Sequence, residues 1–322
     1  MAACVIFGGA GYIGTHLAQH LVSSGRFDRV HLADIRPATR TTDKVSASIT
    51  DVRKPIPAAL IAERPVWIFN LAAVHREPGH EAHEYFDTNL PGARNVCAYA
   101  AEVGCQNIFF TSSISVYGPT TGPTAEDSRI CPITPYGGSK YPAELIHEAW
   151  LAGQAGRRLV ICRPGVVYGP GDPGNILRMI KAIRRGYFAY PGSSGIHKSY
   201  AYIFGLLESI DFIMRRDERQ VVYNYVEAPT EPLGELVRIT KELLGSRAPV
   251  FRIPEQVLVP AAGLAQLLLG AHNPIHPVRV KKAAMSTHIV PGVLQKLGFE
   301  FRYPYRKSLE HWRSIIPQDF EA

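Results

Sequence analysis

Gly8-Gly9-Ala10-Gly11-Tyr12-Ile13-Gly14 is the stretch on which the reading of the fold turns. It follows a short apolar run at 4–7 and opens a segment, 15–23, with apolar residues at helical spacing. Strand, glycine-rich turn and helix in that order make the first unit of a dinucleotide-binding fold. Gly8 permits the tight turn, Gly11 lets the backbone approach a pyrophosphate, and Gly14 lets helix pack closely on strand. Tyr12 and Ile13 lie within the same turn, and the helix N-terminus faces the negative charge. A second strand at 29–33 leads to Asp34, 20 positions after Gly14, where a carboxylate can bind the adenosine ribose hydroxyls. That carboxylate repels a 2′-phosphate and favours NAD. Arg36 and Arg40 stand close enough to keep NADP as the alternative.

Further short β-branched runs follow at 66–71, 107–111, 159–162 and 221–225, alternating with helical periodicity at 92–103 and 139–152. The alternation predicts an α/β fold: a Rossmann-type doubly wound parallel sheet covered on both faces. The rhythm breaks near residue 170 in Gly and Pro clusters. We therefore expect an NAD-binding domain at 1–170, with the strand 221–225 returning to it, and a smaller C-terminal substrate-binding lobe at 171–322. No internal repeat or low-complexity tract is present.

A chain of 322 residues with 46% hydrophobic and 20% charged residues buries a sizeable core. Five cysteines, odd in number and without a C-x-x-C pair, argue against a disulfide framework or a zinc site and for a reducing cytoplasm. The net charge of +7 is modest, with Lys and Arg spread along the chain; it suits anionic ligands rather than nucleic acid. The apolar N-terminal run reads as a buried strand, not a signal peptide. The segment 257–271 is too short to span a bilayer and contains Pro260 and Gln266, so a buried or dimer-facing helix is expected there and no integral membrane segment.

Tyr136-Gly137-Gly138-Ser139-Lys140 places a phenol and an ammonium four residues apart, on one face of a helix starting there. A phenol with a pKa of about 10 is a poor base at neutrality. Favouring its phenolate by three powers of ten takes about 4 kcal/mol, for which Lys140 and a positive nicotinamide are the candidate sources. The strand at 107–111 runs into Thr111-Ser112-Ser113, at the sheet edge where open α/β folds bind ligands. Ser113 could there hydrogen-bond a substrate oxygen. His75, His80 and His83 lack the spacing of a helical zinc pair, so no metal is expected. His75 follows the strand at 66–71 directly and is placed over the substrate pocket.

Taken in order, 8–14, Asp34, Asp51-Val52, Asn70-Leu71-Ala72-Ala73, Asn89, 112–118, 136–140, Arg163-Pro164 and Val167-Tyr168-Gly169-Pro170 resemble the extended short-chain dehydrogenase/reductases, in their nucleotide-sugar epimerase and dehydratase branch. The resemblance covers nearly the whole chain. It implies that Asp51 and Val52 flank the adenine, that Leu71, Ala72, Ala73, Asn89 and Pro164 line the cofactor, and that Ser113, Tyr136 and Lys140 are catalytic. Lys140 would also hold the nicotinamide ribose. It further implies substrate contacts from Asn175 and, through a diphosphate, from Lys198 and Arg279. A homodimer through helices near 89–103 and 139–152 is implied too, although their apolar faces are equally compatible with ordinary core.

The dehydratases of this branch carry an acidic residue just after the catalytic hydroxyl residue, where this chain has Ile114 and Ser115. Neither can act as acid or base, which leaves a mechanism resembling that of the UDP-galactose 4-epimerases: oxidation at C4, rotation of the keto sugar and return of the hydride. Val166 stands where such epimerases often carry an Asn that contacts substrate, so the sugar stays open. A keto-sugar reductase or sterol-like dehydrogenase with the same three residues is the alternative within the enzyme class. A catalytically silent NAD-binding regulator is the alternative outside it.

Overall fold

The computed structural model describes residues 1–77, 79–254, 256–257, 260, 263 and 283–321. Its main sheet contains β1 Ala3–Phe7, β2 Arg29–Asp34, β3 Val45–Ile49, β4 Pro65–Asn70, β5 Asn107–Thr111 and β6 Arg158–Pro164. Two small parallel pairs follow, β7 Val166–Tyr168 with β9 Tyr200–Tyr202, and β8 Ala189–Pro191 with β11 Phe251–Ile253. Between them β10 Gln220–Tyr225 returns to the main sheet. All seven of its strands are parallel, in the order β10-β6-β5-β4-β1-β2-β3. The chain builds outward from β1 to β3 on one side and restarts at β4 on the other. The strand order reverses between β1 and β4, which opens a crevice at their carboxyl ends.

Strand pleating explains the layers. Val5 and Phe7 of β1 join the core beneath α2 (Ala82–Glu102) and α3 (Pro135–Ala152), while Cys4 and Ile6 join the core that includes α1 (Tyr12–Ser23). Both faces are apolar, so the central strands read as continuous apolar runs rather than alternating ones. The edge strand β3 gave no such signal, because its residues are largely exposed and two of them are serines. Its hydroxyls have a partner: Ser46 and Ser48 meet the two ring nitrogens of His31 at 2.9 and 2.8 Å. The lobe beyond β7 adds α4 (Asn175–Arg184), α5 (Ile203–Met214) and α6 (Leu233–Leu244). Of these, α5 lies against α1, where Asp211 and His20 meet at 2.6 Å.

A buried ion pair ties the second layer to the sheet. Glu144 of α3 takes Arg163 of β6 in a two-point grip, Nε to Oε1 at 2.9 Å and Nη2 to Oε2 at 2.7 Å. The remaining Arg163 nitrogen donates to the Tyr117 hydroxyl at 2.8 Å, and that hydroxyl donates to Asn224 of β10 at 2.9 Å. Asn224 in turn donates its backbone N–H to Glu126 at 2.8 Å and its side-chain amide to Val290 at 3.1 Å. One network thus links α3, β6, β10 and the segment that re-enters near residue 290.

Removing one member of such a pair strands a buried charge. We expect Arg163→Met to lower unfolding stability by about 3–5 kcal/mol in denaturant titrations, with partial recovery in the double variant Glu144→Met/Arg163→Met. A double variant no more stable than the single one would show that the cost lies in packing rather than in the unpaired carboxylate.

Candidate active site

The glycine turn is sterically specified. Gly8 has φ +77°, and a Cβ there would lie 2.8 Å from the backbone nitrogen of Ala72; one at Gly14 would lie 2.5 Å from the Gly8 carbonyl oxygen. Gly11 caps α1 without a side-chain hydrogen bond, and no acidic residue occupies the first turn. The opening N–H groups of the helix, and its positive end, therefore have no counter-charge from the first turn. Asp34 closes the far side. Its carboxylate accepts from the backbone N–H of Ala10 at 3.1 Å and of Arg36 at 3.0 Å, which locks the end of β2 to the turn. The glycine turn and the Asp34 carboxylate are thus tied together, an arrangement suited to a dinucleotide. Tyr12 points its buried hydroxyl toward Gly169, while Ile13 packs on the core.

Asp51 is gripped by Arg53, whose side-chain hydrogen bonds hold its carboxyl below the ordinary range. Val52 is buried beneath Gly92 of α2, and its carbonyl accepts from Asn95 at 2.7 Å. Leu71, Ala72 and Ala73 leave the end of β4 half-buried, with the Leu71 N–H bonded to Phe7 at 2.9 Å. Asn89 clamps this loop. Its amide takes both backbone groups of Val74, at 2.9 and 3.2 Å, and also donates to Ser139 of α3 at 2.8 Å. Ser139 donates to the Tyr136 carbonyl at 2.8 Å, so a single asparagine ties the loop after β4 to the first turn of α3.

That first turn carries Tyr136. Thr134 caps it by accepting from Gly137 N–H at 3.2 Å. Gly137 has no room for a side chain, since a Cβ would sit 2.3 Å from the Ser115 carbonyl oxygen. This close approach brings the turn after β5 against α3, and places the Ser113 hydroxyl near enough to Tyr136 to favour its phenolate, while Ser113 also donates to the Ser115 hydroxyl at 3.1 Å. Lys140, one turn along, is 2% exposed and places its ammonium 4.2 Å from the centre of the Phe110 ring. His147, two turns further, stacks on the same phenylalanine at 4.1 Å. Its Nε2 accepts from Asn70 at 3.2 Å while its Nδ1 donates to Ala143 at 2.7 Å.

The electrostatics run against a simple expectation. Burial pushes the Tyr136 phenol up to about 12; the Ser113 hydrogen bond opposes this and the Glu77 carboxylate adds to it. Burial also pushes the Lys140 ammonium down to about 7, against the pull of Glu144. The protein by itself therefore disfavours both charged forms, and Lys140 does not figure among the groups that move the phenol. Neither Glu77 nor Glu144 was singled out from sequence. Glu144 could have been, because it sits one turn beyond Lys140 on the same helix face.

His75 is exposed after β4, with desolvation lowering its imidazole pKa. Pro164 ends β6 in register with Tyr225. In the lobe, Asn175 is the exposed first residue of α4, and Lys198 donates to the Met285 carbonyl, with burial pushing its ammonium down to about 8. Arg279 and most of the 257–271 segment lie outside the described residues. The fold thus assembles the glycine turn, Asp34, the loop 71–75, Asn89, Ser113, Tyr136 and Lys140 at the carboxyl edge of β1, β2, β4 and β5. No cluster of His, Cys, Asp or Glu suited to a metal ion occurs among the described residues.

A lysine whose pKa is lower folded than unfolded binds fewer protons in the native state. Stability then rises with pH between about 7, the folded value, and the ordinary lysine value near 10.4, where the unfolded chain also deprotonates. The rise expected for Lys140 is on the order of a few kcal/mol. Denaturant midpoints of the cofactor-free protein should climb over this window, and Lys140→Met should flatten the climb. An unchanged slope in the variant would mean that Lys140 keeps its ordinary pKa.

The description "NAD dependent epimerase/dehydratase family" matches residues 4–225. The chain is 28% identical over 313 residues to the N-acetyl-α-D-glucosaminyl-diphospho-ditrans,octacis-undecaprenol 4-epimerase of Escherichia coli O157:H7, covering 95% of this chain and 92% of that one. It is 24% identical over 298 residues to UDP-glucose 4-epimerase 3 of Oryza sativa subsp. japonica, covering 79% and 80%. The solved structure of MoeE5 in complex with UDP-glucose and NAD superposes with a TM-score of 0.77 at 23% identity, over 99% of this chain and 100% of that one. With a family match across the sheet, the glycine turn and the Ser113, Tyr136 and Lys140 positions, the chain is a member of the NAD-dependent epimerase/dehydratase family.

Proposed function

We propose that this protein inverts C4 of a sugar carried on a diphosphate, with NAD held throughout the cycle. The observation that carries the reading is the contact between Ser113 and Tyr136 at the sheet edge, with Ile114 and Ser115 following where an acid would be needed for elimination. Bound NAD would supply the hydride acceptor and donor at C4. The residues fit it: the turn at Gly8, Gly11 and Gly14 for the pyrophosphate, Asp34 for the adenosine ribose, Asp51 and Val52 at the adenine, and Leu71, Ala72, Ala73, Asn89 and Pro164 along its length. Asp34 favours NAD over NADP, because a 2′-phosphate would meet its carboxylate.

Tyr136 takes the proton of the C4 hydroxyl while Ser113 holds that oxygen. After the keto sugar turns over, Tyr136 returns the proton. Lys140, brought down to about 7 by burial and so about half protonated at neutral pH, would donate to the nicotinamide ribose and orient it. Burial raises the Tyr136 phenol to about 12 and so keeps it protonated at neutral pH, and the positive charge of oxidised NAD, when bound, would favour its phenolate. Base formation is thereby coupled to cofactor occupancy. His75, Asn175, Lys198 and Arg279 are the candidate substrate contacts.

Two carriers for the sugar fit this reading. A UDP-hexose follows from the branch that the sequence resembles. A polyprenyl diphosphate is favoured by the Escherichia coli relative, whose name gives such a substrate and whose similarity runs over 95% of this chain. A homodimer through α2 and α3 is supported by exposed Phe86, Ala98, Leu145 and Ala149 on those helices, and a reducing cytoplasm by the buried free thiols of Cys4, Cys97, Cys105 and Cys162.

Proton NMR of the enzyme with NAD and, in turn, UDP-hexoses, UDP-N-acetylhexosamines and a polyprenyl-diphospho-N-acetylhexosamine tests the proposal. The expected result is a C4 epimer with no net NADH, and a fall in kcat of about 10²–10⁴ in Tyr136→Phe. Stoichiometric NADH or a lasting keto sugar would replace the epimerase by a dehydrogenase or reductase.

A further inference from the structure

Lys and Arg are spread along the sequence, but Asp and Glu are not. Between Asp172 and Glu208 the chain has no acid while carrying Arg178, Lys181, Arg184, Arg185 and Lys198; the stretch 243–254 likewise has none and carries Arg247 and Arg252. The fold brings these two stretches side by side. β8 pairs with β11, with Ala189 opposite Phe251 and Tyr190 opposite Arg252, and the Phe251 N–H donates to Phe188. Side chains alternate here: Phe188 and Tyr190 turn in and stack edge-to-face at 5.7 Å, whereas Tyr187 and Phe251 stay 61% and 57% exposed. Val257, just beyond, is 59% exposed. Exposed Arg185, Arg247 and Arg252 flank these apolar groups.

We infer that this outward face of the lobe, built from Tyr187, Phe251, Arg185, Arg247 and Arg252, docks on an anionic lipid bilayer. Aromatic side chains set among cations are the composition that seats a protein at the headgroup level, with rings entering the interface and guanidinium groups meeting lipid phosphates. Charge complementarity selects this occupant, since a second copy of the same arginine-rich face would repel it. The face is also continuous with the candidate site. Arg252 donates to the Ser193 hydroxyl at 3.4 Å, Gly192 N–H donates to Ile253 at 3.0 Å, and the chain from there reaches Lys198 within six residues. A diphosphate anchored in the bilayer would thus be presented beside the lysine placed for it. The inference deepens the polyprenyl-diphosphate reading of the substrate and rests on it, but its test needs no substrate, so the two fail separately.

The experiment is co-sedimentation of the full chain with vesicles of phosphatidylglycerol and phosphatidylethanolamine, compared with phosphatidylcholine alone. Binding to the anionic vesicles is expected, weakening as salt rises. Arg185→Gln and Arg247→Gln should each lower the affinity about fivefold. The pair Tyr187→Ser/Phe251→Ser should lower it about tenfold or more. Unchanged circular dichroism and unchanged thermal unfolding would show that these variants are folded. No pelleting with anionic vesicles, or binding by the variants equal to that of the parent, overturns the inference. So does sedimentation velocity in which Tyr187→Ser/Phe251→Ser dissociates a dimer, because a second copy would then own the face.

Discussion

The buried pair Glu144–Arg163 is the constraint on which the rest of the structure hangs. It joins the helix bearing Tyr136 and Lys140 to β6, and through Tyr117 and Asn224 it reaches β10 and the returning segment near residue 290. A buried pair of this kind gives little net stability over an apolar substitute, but it specifies geometry, since the two-point grip fixes Arg163 against Glu144 while Ser112 donates to the same carboxylate. Here the geometry specified is the height of α3 along its own axis. A slide of α3 by one residue would break the two-point grip and carry Tyr136 away from Ser113. Gly137 sets the complementary distance, because its missing side chain lets α3 come down onto Ser115.

Glu144 has a second effect, on charge. It lies one helical turn from Lys140 and is the group that pulls the Lys140 ammonium upward, against a burial that otherwise drives it to about 7. Arg163 spends most of that carboxylate's charge, so the opposition is partial. Burial thus disfavours the charged forms of both Tyr136 and Lys140 in the protein alone. Folding has already desolvated Lys140 fully and Tyr136 in part, so a cation bound beside them would act on the phenol with less screening than in water. Preorganisation therefore consists in holding the two groups buried, not in holding them charged.

Much of this was legible in the sequence, for physical reasons that differ by element. Gly8 and Gly14 are fixed by contacts no other residue could make, so their pattern reads directly. Tyr136 and Lys140 read as a pair because helical spacing puts them on one face. β3 did not read, since an edge strand need bury little and its serines serve His31 rather than a core. The direction of the Tyr136 shift did not read either, because burial is a property of the assembled site and outweighs the local pairing that sequence shows. Asn89 was legible as a site residue, but its reach to both Val74 and Ser139 depends on how closely α2 and α3 pack.

Charge distribution shows the same limit. Counted along the chain, the cations look dispersed; the asymmetry lies in where acids are missing, and only the pairing of β8 with β11 turns two acid-free stretches into one surface. On the proposed reading a diphosphate would bring two negative charges, and Lys198, lowered to about 8 by burial yet mostly protonated at neutral pH, would supply one cation against them. A broadly cationic lobe adds to this by raising the local concentration of any anion that approaches it. On the proposed reading this charge would serve substrate capture whichever carrier bears the sugar, whereas exposed Tyr187 and Phe251 would add nothing to the capture of a soluble nucleotide. It is the combination of rings with arginines, not the charge by itself, that distinguishes a lipid surface from a dissolved substrate.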